Sequence, residues 1–167
     1  GAEAGVLVRQ AAALEQLADV DTLAIDKTGT ITEGRPALTS FAAQPGFAPL
    51  DVLGAAASVE RASEHPLAEA IVRGAESRGA RVSPVQAFSS VTGQGVRGVV
   101  EAQPVLVGNA ELLAANGIAA APVEAEADRL RRLGETVMFV AVDGRLAGLV
   151  GVADPVKPGV RDALDSL

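Results

Sequence analysis

The chain has 167 residues, 49% hydrophobic and 21% charged, enough apolar side chains for the core of one domain or two small ones. With four Phe, no Tyr and no Trp, it lacks the rings to stack single-stranded bases, and 14 basic against 21 acidic side chains (net −7) argue against a nucleic-acid partner. The absence of Cys excludes disulfides and thiolate zinc sites, whereas acidity leaves a nucleotide ligand open, because Mg²⁺ and backbone amides offset phosphate charge.

No apolar run approaches the ~20 residues of a membrane helix, and no signal-peptide pattern opens the chain. The first residue is Gly, and Val160 to Leu167 stops inside a helix-like pattern, so the sequence reads as a piece of something longer.

In chain order, residues 5–20 begin as a short apolar run and continue as an Ala/Leu helix, with Leu14, Leu17 and Ala18 at helical spacing. Thr22 to Ile25 is a short buried-strand candidate ending in Asp26. Ser40 to Pro49, with two Pro and a Gly, reads as a connection. Pro49 then suits the first position of a helix to about Arg61. Pro66 opens a second helix, with Leu67, Ala70, Ile71 and Ala75 on one face and Gly79 as its stop.

From Val82 to Val107 the pattern turns strand-like: VQAFSSV, GVRGVV and PVLVGN, separated by turns. Asn109 to Ala115 and Val123 to Leu133 return to helix. Val137–Val142 and Leu146–Val152 flank Asp143-Gly144, a hairpin signal because both turn positions accept φ > 0. Asp154-Pro155 breaks the second strand, and Val156 to Leu167 starts another helix. The middle block is bracketed by two segments that look like halves of one parallel α/β unit, as an insertion would produce.

Asp26-Lys27-Thr28-Gly29-Thr30 places a carboxylate at a strand end before a Gly/Thr loop, the usual ligand edge of an α/β sheet. A carboxylate can attack phosphorus, and Lys27, Thr28 and Thr30 suit phosphate oxygens. The alternative is a surface turn with a solvated Asp-Lys pair.

Gly93 to Gly98 spells G-x-G-x-x-G, but β-branched residues follow it, so the helix a dinucleotide fingerprint needs is missing. A turn approached closely by a ligand and a plain structural turn both remain open. Glu60, His65, Gly108 and Asn109 are further candidates. His65, just before a helix, either presents a neutral imidazole to a ligand or merely caps that helix. The only two lysines, Lys27 and Lys157, each closely follow an Asp, by design or by chance.

Together these segments resemble the P-type ATPases, within them the heavy-metal-transporting subclass and its copper/silver branch. DKTGTIT (Asp26–Thr32) is similar to that family's phosphorylation signature, and SEHPLAEAI (Ser63–Ile71) to the subclass's nucleotide-domain motif. TGQGVRG (Thr92–Gly98) and VGNAELL (Val107–Leu113) resemble its two other nucleotide-pocket motifs, and ADPVKP the return to the phosphorylation domain. The resemblance runs from about Gly5 to Leu167.

It implies an α+β fold, an antiparallel sheet of about six strands flanked by helices, with incomplete Rossmann-like (haloacid-dehalogenase-like) segments at both ends. Residues 1–36 and 151–167 would belong to the phosphorylation domain and 37–150 to the nucleotide-binding domain. Asp26 would take the phosphoryl group of ATP, with Lys27, Thr28 and Thr30 contacting it. Asp26 and the Thr28 carbonyl would bind Mg²⁺, and Glu60, His65, Gly93, Gly95, Gly108 and Asn109 would line the adenine and ribose site. Asp154 would sit at the interdomain hinge.

The partners implied are adenine nucleotide and the pump's own actuator and membrane domains, on the cytosolic face of a membrane the fragment does not itself touch. The downstream Asp that completes the Mg²⁺ site is not in this sequence, so the fragment is expected to bind nucleotide without forming a stable phosphoenzyme. A haloacid-dehalogenase-like phosphatase is the rival enzyme. It usually carries a second Asp two residues after the first, where this chain has Thr28. A non-catalytic nucleotide-binding module is the third reading.

Overall fold

The structure, a computed structural model, describes residues 20–22 and 24–166. Six antiparallel strands form one sheet: β1 (Ala37–Ala43), β2 (Val85–Val91), β3 (Gly95–Val100), β4 (Gln103–Gly108), β5 (Thr136–Val142) and β6 (Arg145–Ala153). Their order across the sheet is β1-β6-β5-β4-β3-β2. The α+β class and strand count thus agree with the expectation.

Helices cover both faces. On one side lie α1 (Pro49–Glu60) and α2 (Pro66–Ser77); on the other, α3 (Ala110–Ala115) and α4 (Ala121–Arg132). Strand β5 shows why: Val140 and Val142 enter the α1/α2 core, while Phe139 and Ala141 enter the α3/α4 core. With a side-chain period of two, a strand apolar at successive positions must be covered twice. Helix α1 is buried nearly all round, through Val52, Leu53, Ala56, Ala57 and Val59. One of its two buried polar groups, the Ser58 hydroxyl, donates to the Gly54 carbonyl at 2.6 Å and accepts from Ser83 N–H at 2.9 Å.

Register defines two ends of the sheet. Ala37 pairs with Ala153, Thr136 with Val152, Phe139 with Gly108 and Gly95 with Gly108, so all of these lie at one end. The hairpin turns at Glu101-Ala102 and Asp143-Gly144 lie at the other. The second turn is the predicted one, with φ of 51° and 72°.

Several expectations fail. Residues 22 and 24–26 form no strand, and Ile25 is 37% exposed; none of the six strands pairs with them, so nothing satisfies or buries a strand there. The connection expected over Ser40–Pro49 begins only at Gln44, because residues 40–43 belong to strand β1, whose edge position leaves most of its residues half-buried and blurs the apolar alternation. The last helix, α5 (Val160–Asp165), begins later than Val156, because Pro158 and a left-handed Gly159 (φ 81°) form a turn before it. Of the helix read over residues 5–20, only Val20 lies within the described residues.

Candidate functional site

Pro66 supplies the fixed φ of a first helical position and holds His65 in extended backbone (φ −68°, ψ 137°). From there the His65 Nδ1 accepts the Leu67 N–H at 3.2 Å. The imidazole does cap α2, and as a neutral ring it therefore carries its proton on Nε2. Capping and ligand contact are compatible, because they use opposite nitrogens.

Beside it, Glu60 ends α1 and is 5% exposed. Burial pushes its carboxyl up to about 7, and a hydrogen bond with the Ser63 side chain offsets part of that rise. Glu60, Ser63, Glu64, His65, Glu69 and Val72 line a cavity of about 360 Å³, within the range of small-molecule sites. A larger cavity, about 460 Å³, lies among Phe47, Asp51, Arg81, Glu101 and Arg145 at the hairpin end, and holds none of the predicted site residues.

At the opposite end of β3 and β4 the glycines divide by role. A Cβ on Gly95 (φ 146°) would overlap the Val107 carbonyl, and one on Gly108 would overlap the Gln94 carbonyl and the Leu112 side chain. Their close neighbours are each other's strands, which makes both packing glycines. Gly93 (φ 72°) faces open space and needs only the left-handed turn. Asn109 ties the group together: its Oδ1 accepts Leu112 N–H at 3.0 Å, capping α3, and its Nδ2 donates to the Gly93 carbonyl at 3.2 Å.

Asp26 precedes a tight loop, Lys27–Ile31, that reverses at Gly29 (φ 78°), and Asp26, Lys27, Thr28 and Thr30 are all exposed. The loop is fixed from behind. The Thr32 hydroxyl donates to Asp154 Oδ2 at 2.5 Å, and Arg35 N–H reaches Asp154 Oδ1 at 3.1 Å. Backbone bonds from Glu33 to Pro155 and from Lys157 to Ile31 zip the two connections together. Lys157 Nζ donates to the Gly29 carbonyl at 2.6 Å, so one lysine braces the loop that carries the other.

Three groups of predicted residues therefore exist, and no hydrogen bond joins them among the described residues: Glu60 with His65; Gly93, Gly95, Gly108 and Asn109; and the Asp26 loop. The glycine group and the Asp26 loop lie at one end of the sheet. The loop leaves the sheet where β1 starts and β6 ends, the glycine group's end. Arg73 of α2 donates to the Pro36 carbonyl there.

Sequence reasoning left out Thr32 and Ser63 as individual actors, although both stand inside quoted motifs. It also missed Glu135, which accepts from the Thr39 and Ser40 hydroxyls across Gly151. Nothing in its local sequence signalled that. Asp26 and the Thr28 carbonyl would offer Mg²⁺ at most two of six oxygens, and among the described residues no three His, Asp or Glu are grouped to hold a metal. This donor set alone does not make the cation's site.

Residues 20–167 match the family described as haloacid dehalogenase-like hydrolase. A copper-transporting P-type ATPase of Rhizobium leguminosarum bv. viciae is 50% identical over the whole chain, which covers 20% of that protein. A zinc-transporting PIB-type ATPase in its E2·Pi state superposes with a TM-score of 0.74 at 27% identity, over 84% of this chain and 22% of that one. The catalytic domain of the CPx-ATPase CopB-B, whose conformational changes on nucleotide binding were described, gives 0.62 at 27% identity, over 96% and 55%. The chain spans about a fifth of the length of the curated relatives it matches.

Proposed function

The chain belongs to the haloacid dehalogenase-like hydrolases, and from that premise we propose that it is the nucleotide-binding part of a heavy-metal-exporting P-type ATPase, with copper or silver as cargo. On this reading residues 37–150 form the nucleotide lobe, and residues 1–36 and 151–167 are parts of the phosphorylation unit. The pump would be an integral membrane protein presenting this lobe to the ATP-containing cytosol and working with its own actuator and membrane domains. No helix among the described residues is long and apolar enough to cross a membrane.

The nucleotide would enter base-first between Glu60 and His65. His65 Nε2–H is a donor for a ring nitrogen or an oxygen, and Gly93 and Asn109 would border the sugar. The triphosphate would then point toward the Asp26 loop. There an Asp26 carboxylate oxygen would form a bond to the γ-phosphorus as the bond from phosphorus to the bridging β–γ oxygen breaks, ADP leaving. Lys27, Thr28 and Thr30 would hold the transferred oxygens. Lys157, pinning the Gly29 carbonyl, would keep the loop's shape.

The observation supporting this reading best is half identity to a copper pump along the whole chain, which carries both the Glu60–His65 pocket and the Asp26 loop. Isothermal titration with ATP, ADP and GTP tests it. The chain is expected to bind ATP, and His65→Ala to weaken binding about tenfold through loss of one hydrogen bond and the ring's packing. Unchanged binding in His65→Ala would remove the pocket assignment, and turnover of p-nitrophenyl phosphate would favour a simple phosphatase instead.

A further inference from the structure

Strand β1 is an outer strand of the sheet, with β6 on one side only, so every second carbonyl along it lacks a ladder partner. Helix α2 covers that edge. Arg73 donates to the Pro36 carbonyl at 3.2 Å. Arg78 donates to the Leu38 carbonyl at 3.2 Å and to the Gly74 carbonyl of its own helix at 2.9 Å. Carbonyls two residues apart point to the same side of a strand, so the two guanidinium groups donate where another strand would. Between them the helix comes close to the strand: a Cβ on Gly74 would overlap the side chain of Leu38, which is itself buried. The Arg78 guanidinium also lies 5.8 Å from the centre of the Phe41 ring.

The same helix forms a wall of the proposed base pocket. His65, its N-cap, lines that cavity together with Glu69 and Val72, and Arg73 pairs with Glu69. Residues 69, 72 and 73 are neighbours on one helical face. Helix α2 therefore reaches from the cavity to the place where the connection from the Asp26 loop enters the sheet.

We propose that Arg73 and Arg78 are positioning residues that lock the first half of β1 to the pocket helix, so that strand and helix open as one unit and a nucleotide in the pocket holds both shut. The inference rests on the nucleotide reading of the site. Opening of α2 carries away His65, Glu69 and Val72, and with them one wall of the cavity, so the open form does not bind. A ligand that binds only the closed form suppresses opening by the factor 1 + [L]/Kd. Strand β1 shares that factor, although none of its residues lines the cavity. An occupied pocket thereby steadies the strand from which the Asp26 loop hangs.

The test is hydrogen-exchange mass spectrometry of the 167-residue chain, without ATP and with ATP at about ten times its dissociation constant. Peptides covering 36–43 and 66–77 are expected to slow by one common factor of about tenfold, while 121–132 of α4, on the other face of the sheet, keeps its rate. In the double variant Arg73→Gln/Arg78→Gln, peptide 36–43 is expected to exchange about tenfold faster without ATP and to ignore the nucleotide. Peptide 66–77 of that variant still slows. A merely stabilising pair of arginines would speed exchange on removal but leave the response of β1 to ATP in place.

A wild type in which ATP slows 66–77 but not 36–43 overturns the proposal, as does a double variant in which both still slow equally. Should the double variant be misfolded by circular dichroism, Arg73→Gln alone decides: ATP is expected to slow β1 less than α2, and equal factors overturn the proposal. Failure of the underlying reading looks different: ATP would slow neither peptide in the wild type, or His65→Ala would bind it like the wild type.

Discussion

At the scale of single residues, the site is a set of compromises between packing and chemistry. Glu60 shows the cost of a buried acid. Its proton affinity is raised from the ordinary 4.5 to about 7, so the folded state holds a proton that the unfolded chain has released. Stability from this group is therefore full below about pH 4.5, declines as pH rises toward 7 and is level above it, a loss of order 3 kcal/mol. Glu60→Gln should remove the decline, unfolding at higher denaturant than the wild type at about pH 8 and converging with it toward about pH 5. Gly108 makes a different demand. A methyl group there would meet the Gln94 carbonyl and Leu112, so Gly108→Ala should cost about 1–3 kcal/mol in urea unfolding before any ligand is added. The G-x-G signal was legible in the sequence, but its reason was not. Whether a glycine faces a ligand or its own neighbouring strand depends on long-range register, and Gly93 and Gly95 divide on that point.

At the scale of elements, the legible parts were those with local punctuation. Pro49, Pro66, Asn109 and Asp143-Gly144 mark starts and turns by their own backbone chemistry, and the structure uses each as read. Strand β1 carries no such mark, because its existence depends on β6, more than a hundred residues away. The segment before Asp26 shows the converse: apolar letters without a partner do not make a strand. What fixes the Asp26 loop instead is the contact between Thr32 and Asp154, which joins the two connections to the lobe. Thr32→Val keeps the shape but removes the hydroxyl, leaving Asp154 one donor short. The bond to a charged acceptor is worth about 1.5–3 kcal/mol when buried, and this one is partly solvated. Exchange of the Glu33 and Lys157 amides, which close the same two-stranded crossing, should accelerate about tenfold while amides of β5 keep their protection. Unchanged exchange at both would mean that the backbone pairing holds the crossing by itself.

At the scale of the whole molecule, the Asp26 loop and the glycine group come to one end of the sheet through strand register, although they lie up to 83 residues apart in the chain from Asp26 to Asn109. That convergence was legible only as a family resemblance, since spacing alone says nothing about which loops meet. Charge adds a consequence. The chain carries −7, and the proposed base pocket is rimmed by Glu64 and Glu69, while Arg61 and Arg73 are already paired. Lys27 on the Asp26 loop and Arg97 on β3 are exposed and enter no ion pair among the described residues. If the base sits in the pocket with its phosphates short of that loop, a polyanion approaches a surface of its own sign, and screening helps it. ATP affinity should then rise severalfold as salt increases from about 0.02 M to about 0.3 M, with a shallower slope for AMP. If the phosphates reach Lys27 in the isolated chain, the slope reverses, as it does wherever anions meet lysine. Repeating the titration on Lys27→Gln separates the two. A wild-type affinity that falls with salt, and stops falling in the variant, would place the triphosphate on the loop without any other domain of the pump.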